Sequence, residues 1–239
     1  DSTNFCDTAI LDKHQSFVSE LYAFLKSMDI EIELLHAESG HGQFEVVLTY
    51  QNDPVCLADH VVLTRQTIAA VARRHNLKAL FLPKYNPNHA GNGLHMHISM
   101  KRRAGKQDVL FRADANSMSE LAVSFVGGIL NHLPALTALT MPTSNSFRRV
   151  GPGCWTGSSV QCGFDDKESP IRILSDRFEY KLLDATANVY LALAGILEAG
   201  LDGISCHASL PDMDGELPGS VRESLDLLEK DKLFADKFP

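Results

Sequence analysis

The sequence predicts a single α+β domain in which a curved, largely antiparallel sheet is backed by helices. Two observations predict this fold class. Short segments in which apolar and polar residues alternate, as in half-buried strands, are joined by tight turns, and they are interspersed with segments whose apolar residues recur every three or four positions, as in helices. The 239 residues show no internal repeat and no division into zones of different composition. We therefore expect one domain over residues 1–239.

Composition and charge narrow the class of protein. The chain is 44% hydrophobic and 22% charged, which is typical of a soluble globular domain. Its net charge of -8 argues against a general nucleic-acid binder. No apolar run approaches the roughly 20 residues that a membrane span needs. The cysteines are odd in number and form no CxxC pair, which favours free thiols in a reducing compartment and hence a cytoplasmic location; they are Cys6, Cys56, Cys154, Cys162 and Cys206.

The first predicted element is a helix over residues 12–28, where apolar residues recur at helical spacing. A second helix is predicted to begin at Asp53-Pro54, because Asp is a good cap and Pro fits the first helical position, and to run to about His75. Residues 78–82 are predicted to form a short strand. The core-facing stripe of the first helix consists of Phe17, Leu21, Phe24, Leu25 and Met28.

A β-hairpin is predicted between these helices, with strands over 30–38 and 43–49 and a turn at 39–42. The hairpin would place Glu38 near Glu45, close enough to share one metal ion. An ordinary pair of surface carboxylates explains the same pattern, and on the hairpin alone it is the better interpretation. The first strand is expected to turn Ile32, Leu34, His36 and Glu38 to one side.

The stretch 84–101 runs from a Pro/Asn/Gly-rich loop into an alternating strand. Gly91 and Gly93 let the backbone of that loop approach another group closely. Three polar groups in line on a strand face suggest a metal or phosphate site, and a solvent-facing strand explains them equally well. The polar face carries His95, His97 and Ser99, and the apolar face carries Leu94, Met96, Ile98 and Met100.

Helix signals recur in the second half of the chain. They are Ser-x-x-Glu capping boxes at helix starts and a glycine at a helix end. The predicted boundaries are a polar turn at 102–108, a helix from Ser117 to about 130 with a further piece after Pro134, a helix over 184–199 closed by Gly200, and a helix starting at Ser220.

Two groups of charged residues in this half are candidates for binding anions. Arg148 and Arg149 lie beside a Gly-Pro-Gly turn, and arginine presents a fork that matches carboxylate and phosphate. Arg177, Glu179 and Lys181 alternate along a predicted strand, an order suited to binding a metal ion and an anionic substrate together. A solvated basic loop and an exposed salt-bridge ladder are the respective alternatives.

Five segments, in this order, resemble the catalytic domain of glutamine synthetase, and the resemblance covers nearly the whole chain. It implies that ATP phosphorylates the γ-carboxylate of glutamate and that ammonia then displaces phosphate. It also implies two or three divalent ions, Mg²⁺ or Mn²⁺, and a homo-oligomeric ring with active sites between neighbouring subunits. The segments are 36–45, 81–99, 145–153, 168–173 and 177–204.

The resemblance also implies roles for individual residues. Four motif strands, around Glu38, Glu45, His95 and Glu179, are expected to turn their polar faces into one concave mouth. The implied set is Glu38, Glu45, His95 and Glu179 for the metal ions; His36, His97, Ser99, Lys167 and Arg177 for ATP; Gly91, Gly93, Arg149, Trp155 and Lys181 for the acid and amine substrates; and Arg149 and Arg172 as catalytic residues.

Four positions depart from the family pattern. Trp155 stands where the family has the glutamate that shapes its ammonium pocket, and an indole can stack on a larger amine or fill the space. Ala90 replaces an asparagine, and Lys167 and Lys181 replace arginines, which keeps charge but loses the bidentate fork. The Cys-Trp pair at this loop resembles the nodulin-type, glutamine-synthetase-like branch of the family.

The resemblance implies further segments outside these 239 residues. These are an N-terminal β-grasp domain, a strand with a Glu-x-Glu metal pair, and C-terminal helices. We therefore expect weak metal binding and no activity from these residues alone. For the intact protein we expect an ATP-dependent ligase that joins a glutamate-like acid to ammonia or another amine, and the alternative is a non-catalytic scaffold or ligand-binding protein.

Overall fold

The structure is a computed structural model that describes residues 4–101, 117–151, 154–212 and 215–238. The chain divides into two compact units. The first consists of Asp1–Phe81 with Tyr85–Gly91, and the second of Leu82–Lys84 with Asn92–Pro239. The turn predicted at 102–108 lies outside the described residues, and the unity of the whole chain as one domain stays a prediction.

The first unit packs helices against a two-stranded antiparallel sheet. Its N-terminal helices and its long helix enclose a core that includes Leu21, Leu25, Leu35 and Val71, all buried. The carboxylate of Asp53 accepts hydrogen bonds from two backbone N–H groups of the long helix, so the predicted cap is confirmed. The elements are α1 (Ala9–Lys13), α2 (Gln15–Ser27), β1 (Ile32–Ala37), β2 (Phe44–Leu48) and α3 (Pro54–Arg74).

Three details of this unit differ from the sequence-based expectation. The stripe of α2 is narrower than predicted, since Phe24 and Met28 are 41% and 37% exposed. The pairing of β1 with β2 shifts at a bulge between Ile32 and Leu34, so that Leu34 faces outward and Leu35 faces the core. Residues 78–82 form no strand.

The second unit contains a four-stranded mixed sheet in the order β3-β6-β5-β4. The β3–β6 and β6–β5 pairs are antiparallel, and the β5–β4 pair is parallel. The elements are β3 (Met96–Ile98), α4 (Glu120–Thr140), a 3₁₀ turn (Ser146–Arg149), β4 (Cys162–Phe164), β5 (Ile171–Ile173), β6 (Phe178–Tyr180), α5 (Val189–Ser205), α6 (Val221–Lys230) and α7 (Lys232–Lys237).

The apolar face of this sheet packs on α4. Phe178 is fully buried with its ring 5.8 Å from that of Phe125, and the Tyr180 hydroxyl lies 3.2 Å from the hydroxyl of Thr140. Burial raises the pKa of Tyr180 well above its usual range, which keeps this phenol neutral. Met96, Phe178 and Tyr180 are therefore core residues, as the alternation predicted, and the α+β fold class is confirmed.

The helix boundaries of the second unit differ from those predicted. Ser119, two residues after Ser117, caps α4 through its hydroxyl, and the helix continues through Pro134 without a break. Helix α5 begins after Asn188, which is its cap, and Gly200 lies inside it. Ser220 is confirmed as the cap of α6, since its hydroxyl accepts a hydrogen bond from the backbone N–H of Glu223, whereas the Glu223 carboxylate accepts from the N–H of Gly219 rather than from that of Ser220.

Helices α3 and α4 are long and apolar enough to cross a membrane by length and composition alone. Two thirds of the apolar window of α4 is buried inside the protein, which is typical of a core helix. Helix α3 carries Asp59 and Arg65 in its middle turns, and such groups are costly in a lipid environment. Both helices therefore fit a folded globular unit.

Candidate active site

A cluster of His36, Glu38 and Glu45 lies on the hairpin of the first unit. His36 is paired directly with Glu45 across β1 and β2, and Glu38 follows β1. One ligand atom from each of the three side chains lies within 4.8 Å of the others, the compactness expected of a cation site. The hairpin thus brings Glu38 close to Glu45 as predicted, with His36 beside them, and their role in binding metal stays a prediction.

The hydrogen bonding of this cluster fits a divalent cation. The Nδ1 atom of His36 lies 3.1 Å from the carbonyl oxygen of Ala37, and because a carbonyl can only accept, Nδ1 carries the proton in this contact. In the neutral ring, the Nε2 lone pair then faces Glu45 Oε2 at 3.2 Å. Two acceptor atoms at that distance need a proton or a metal ion between them, and imidazole with carboxylates suits Mn²⁺ or Mg²⁺.

The turn of the hairpin fixes the position of Glu38. The backbone N–H of Glu38 donates to the Gln43 carbonyl at 2.8 Å, and the N–H and hydroxyl of Ser39 donate to Glu38 Oε2 at 2.8 and 3.1 Å. The Gln43 amide in turn donates to the carbonyl of Gly91 at 2.9 Å. The predicted substrate loop at Gly91 is therefore tied to the same hairpin.

A second polar group forms a row across the sheet of the second unit. His97 on β3 and Arg172 on β5 both pair with Glu179, which lies between them on β6. The Nδ1–H of His95 donates to Glu179 Oε1 at 2.9 Å, and Arg172 donates to Glu179 Oε2 at 3.3 Å. Arg177 donates to Nδ1 of His97 at 3.1 Å. The structure therefore brings together five of the predicted site residues.

Electrostatics keep the carboxylate of Glu179 ionised. Burial alone would raise its pKa, but the hydrogen bond from His95 and the charges of His95, His97 and Lys181 outweigh burial and hold the pKa at about 2. Burial lowers the pKa of His97, against the opposing effect of Glu179. The row therefore places an ionised carboxylate beside two imidazole rings, a set of ligand types suited to a divalent ion.

Arg149 is buried at the end of the 3₁₀ turn, with 2% of its surface exposed. Its Nη2 donates to the carbonyl of Lys181 at 3.2 Å, whereas Nε and Nη1 have no partner among the described residues. Burial lowers its pKa, and the nearby Asp184 opposes that effect. A side chain added at Gly93 would meet Arg149 Nη2 and His95 Nε2, each at 2.6 Å, so the backbone of Gly93 lies close to both of these predicted site residues.

The unpartnered N–H groups of Arg149 are suited to binding a carboxylate. A buried donor without an acceptor is costly, and the oxygens of a ligand carboxylate are acceptors of the kind that these donors lack. Asp184, whose Oδ2 also lacks a partner among the described residues, was not singled out from the sequence. Its one available signal in the sequence was an acidic residue directly after the apolar pair Leu182-Leu183.

The predicted site residues Ser99, Trp155, Lys167 and Lys181 also belong to the second unit. Ser99 follows β3 and is half-buried. Trp155 is 43% exposed, and the ammonium group of Lys167 lies 5.7 Å from the centre of its ring. The ammonium of Lys181 contacts the carbonyl of Lys167. Joint action of the two residue groups on one ligand stays a prediction, because they belong to different compact units.

Comparison with known proteins assigns the family. The family model described as glutamine synthetase, catalytic domain, matches residues 1–239. The glutamine synthetase of Pyrococcus abyssi is 34% identical over 258 residues, which cover 99% of this chain and 58% of that protein. A protein of Streptomyces coelicolor named gamma-glutamylpolyamine synthetase is 41% identical over 203 residues, which cover 81% of this chain and 43% of that protein.

Solved structures show the same fold. A structure of GmaS in complex with ADP has a TM-score of 0.88 at 29% identity over 99% of this chain and 59% of that one. A glutamine synthase homologue has a TM-score of 0.89 at 29% identity over the whole of this chain and 58% of the other. The fold is thus that of a ligase-type catalytic domain. The chain belongs to the glutamine synthetase family, and it spans about half the length of the relatives it matches.

Proposed function

We propose that this chain is the catalytic domain of an ATP-dependent carboxylate–amine ligase. The acid is glutamate-like, its γ-carboxylate is activated as an acyl phosphate, and the amine is larger than ammonia. The observation that carries the proposal is the cluster of His36, Glu38 and Glu45, whose donor atoms lie within 4.8 Å of one another in a member of a ligase family.

The described side chains suit the steps of such a reaction. Arg149 would bind the carboxylate of the acid through its unpartnered N–H groups. Arg172, aligned with Glu179, would stabilise the phosphoryl group during transfer, when negative charge accumulates on its oxygens. Divalent ions held by the two polar groups would neutralise charge on ATP and on the acceptor carboxylate. Among the described residues, the ligands would be His36, Glu38, Glu45, His95 and Glu179.

Two observations favour an amine larger than ammonia. Trp155 offers an exposed aromatic face where a carboxylate would attract ammonium, and an aromatic face binds organic cations. A relative 41% identical over 203 residues is named gamma-glutamylpolyamine synthetase. We propose that the whole protein acts in the cytoplasm as a homo-oligomeric ring.

Formation of ADP by the whole protein tests the proposal. With Mn²⁺ or Mg²⁺, ADP should appear only when glutamate and an amine are both present. Glu45→Ala should abolish turnover and weaken Mn²⁺ binding in calorimetry, whereas Glu33→Ala, at an exposed carboxylate on β1 of the same hairpin, should change neither. If ATP and metal bind but no acid–amine pair yields ADP, the ligase proposal fails and a non-catalytic ligand-binding protein is the better account.

A further inference from the structure

Trp155 lies next to an antiparallel bridge between Gly151 and Gly157, and it adopts a left-handed backbone conformation with φ of 61°. Next to it, the buried hydroxyl of Thr156 donates to the carbonyl of Arg149 at 2.7 Å. A bulky residue rarely adopts positive φ without a specific constraint. The backbone at Trp155 is therefore constrained next to the segment that carries Arg149.

A second loop holds Lys167 against this indole. Asp166 accepts hydrogen bonds from the hydroxyl of Ser169 at 2.6 Å and from the backbone N–H of Glu168 at 2.9 Å. The buried Lys181 contacts the carbonyl of Lys167, and a side chain at Gly157 would overlap the carbonyl of Glu168. Backbone contacts thus bring the two loops together, and the ammonium of Lys167 lies 5.7 Å from the centre of the Trp155 ring.

We infer that the Trp155 face is the binding site for the ammonium end of an alkyl diamine, and that Lys167 occupies this site until the diamine displaces it. The inference rests on the proposed ligase function. The side chain of lysine is a primary alkylammonium ion, so its position shows which ligand chemistry the indole face accepts. The contact is at the surface, where cation–π attraction is weak, and so a free cation can compete with it.

The charge requirement selects a diamine rather than a monoamine. A nitrogen held over the indole is held as a cation, and a protonated nitrogen has no lone pair with which to attack an acyl phosphate. A diamine can leave one end protonated over Trp155 while its other end, as the neutral amine, attacks the acyl carbon of the acyl phosphate. The carbon–nitrogen bond then forms as the bond from that carbon to the phosphate oxygen breaks, phosphate leaves, and the nitrogen releases one proton to water. A neutral diol of the same length lacks the charge that the indole attracts.

Fluorescence gives a direct readout because Trp155 is the only tryptophan in the chain. We expect 1,4-diaminobutane to change the emission saturably at constant ionic strength, and 1,4-butanediol to leave it unchanged. Lys167→Met removes the competing cation and keeps the side-chain length, so its Kd for the diamine should fall at least threefold. Lys167→Arg keeps a competing cation and should bind like the wild type. The matched control Lys230→Met removes an exposed lysine from α6 and should not alter Kd.

Calorimetry with Trp155→Leu completes the test, since that variant lacks the fluorophore and should lose diamine binding. The inference is overturned if the wild type and Lys167→Met both show no saturable response, or if Lys167→Met binds the diamine more weakly. Diamine binding without ADP formation would support the inference and contradict the ligase function. Diamine-dependent ADP formation with an unchanged Kd in Lys167→Met would support the ligase and overturn the role of Lys167.

Discussion

Arg148 and Arg149 are adjacent in sequence but have opposite environments. Arg149 is buried with unpartnered N–H groups, whereas Arg148 is exposed. Arg149→Lys keeps the charge but loses the fork that can bind both oxygens of a carboxylate. We therefore expect the KM of the whole protein for its acid substrate to rise at least tenfold, as measured by steady-state kinetics with the acid varied.

Arg148→Lys is the matched control for this prediction. It makes the same chemical change one residue away at a solvent-exposed site, and its KM should stay within about twofold of the wild type. Equal effects of the two substitutions would contradict the assignment of Arg149 to carboxylate binding and would point to a general effect of the basic segment.

Cys162 on β4 provides a test of burial at a single residue. Burial raises the pKa of its thiol from 9.0 to about 11. At pH 8, the fraction of Cys162 in the reactive thiolate form is therefore roughly 100-fold lower than for a cysteine with an unshifted pKa. We expect iodoacetamide to label the exposed Cys6 and Cys206 first and Cys162 much later, as followed by peptide mass spectrometry. Because thiolate increases with pH, the labelling rate of Cys162 should keep rising up to about pH 11.

Denatured protein is the control for the cysteine experiment. Unfolding removes the burial, so Cys162 should then react at a rate similar to that of Cys6. Fast labelling of Cys162 in the folded protein at pH 8 would show that the thiol is reached and ionised more easily than its environment in the structure implies.

At the scale of elements, two glycines of α5 are expected to respond differently to the same substitution. A side chain at Gly203 would overlap the backbone of α4, where the Cα of Gly128 lies 2.6 Å away. A side chain at Gly195 would meet only the ends of leucine side chains, at 2.8 Å, and these can move. Alanine in a helix gains up to about 1 kcal/mol over glycine, whereas overpacking costs about 1–3 kcal/mol.

Gly203→Ala is therefore expected to lower the free energy of unfolding by about 2 kcal/mol, because two packed backbones must separate. Gly195→Ala should stay within about 1 kcal/mol of the wild type, since its helix propensity offsets a small side-chain shift. Urea unfolding followed by circular dichroism measures both. Similar losses of unfolding free energy in the two variants would contradict this prediction. They would mean that the packed backbones of α4 and α5 separate to admit a methyl group as easily as a leucine side chain moves.

The same helices show which signals in the sequence were informative. A glycine near the end of an apolar segment predicted a helix stop at Gly200, but this glycine lies inside α5. Its lack of a side chain leaves space for the ring of Phe125, which a side chain there would overlap. A glycine needed for close packing and a glycine needed for a turn look alike in one sequence. Asp53 and Ser220 were predicted correctly because their caps depend only on neighbouring residues.

The candidate site shows the same limit. The pairing of His36 with Glu45 was predictable, since a short turn fixes the register of a hairpin. The pairing of Lys167 with Trp155 was not, because it depends on two loops that the fold brings together. The unpartnered atoms of Arg149 and Asp184 also depend on burial, which alternation alone does not reveal.

At the scale of the whole molecule, the residues predicted to hold metal ions are divided between the compact units. Glu38 and Glu45 belong to the first unit, and His95 and Glu179 belong to the second. Each group is stabilised by contacts inside its own unit, the hairpin turn in one case and the sheet register in the other. A substitution in one group should therefore leave the structure around the other group unchanged. The effects of such substitutions on metal binding and on fold stability can then be measured separately.

The end of the described chain is held to the body of the second unit by His132 on α4. Its Nδ1 lies 2.7 Å from Asp231, and its Nε2 lies 3.3 Å from Asp202 on α5. Asp231 also caps α7 by accepting from the backbone N–H groups of Leu233 and Phe234. One imidazole thus connects three helices, and it has an edge-on contact with the buried ring of Phe234, 5.6 Å away.

His132→Ala should loosen α7 before any other element. The substitution leaves the carboxylate of Asp231 without its imidazole partner, and losing such a hydrogen bond costs about 1–3 kcal/mol. We expect faster amide hydrogen exchange in Lys232–Lys237 and unchanged exchange in α2 of the first unit. The exposed His207 offers a matched control, since His207→Ala should leave exchange in α7 unchanged. If α7 exchanges at the wild-type rate in His132→Ala, then contacts that do not involve His132 hold the helix, such as the ion pair between Lys237 and Glu198 on α5, 3.3 Å apart, and the burial of Phe234.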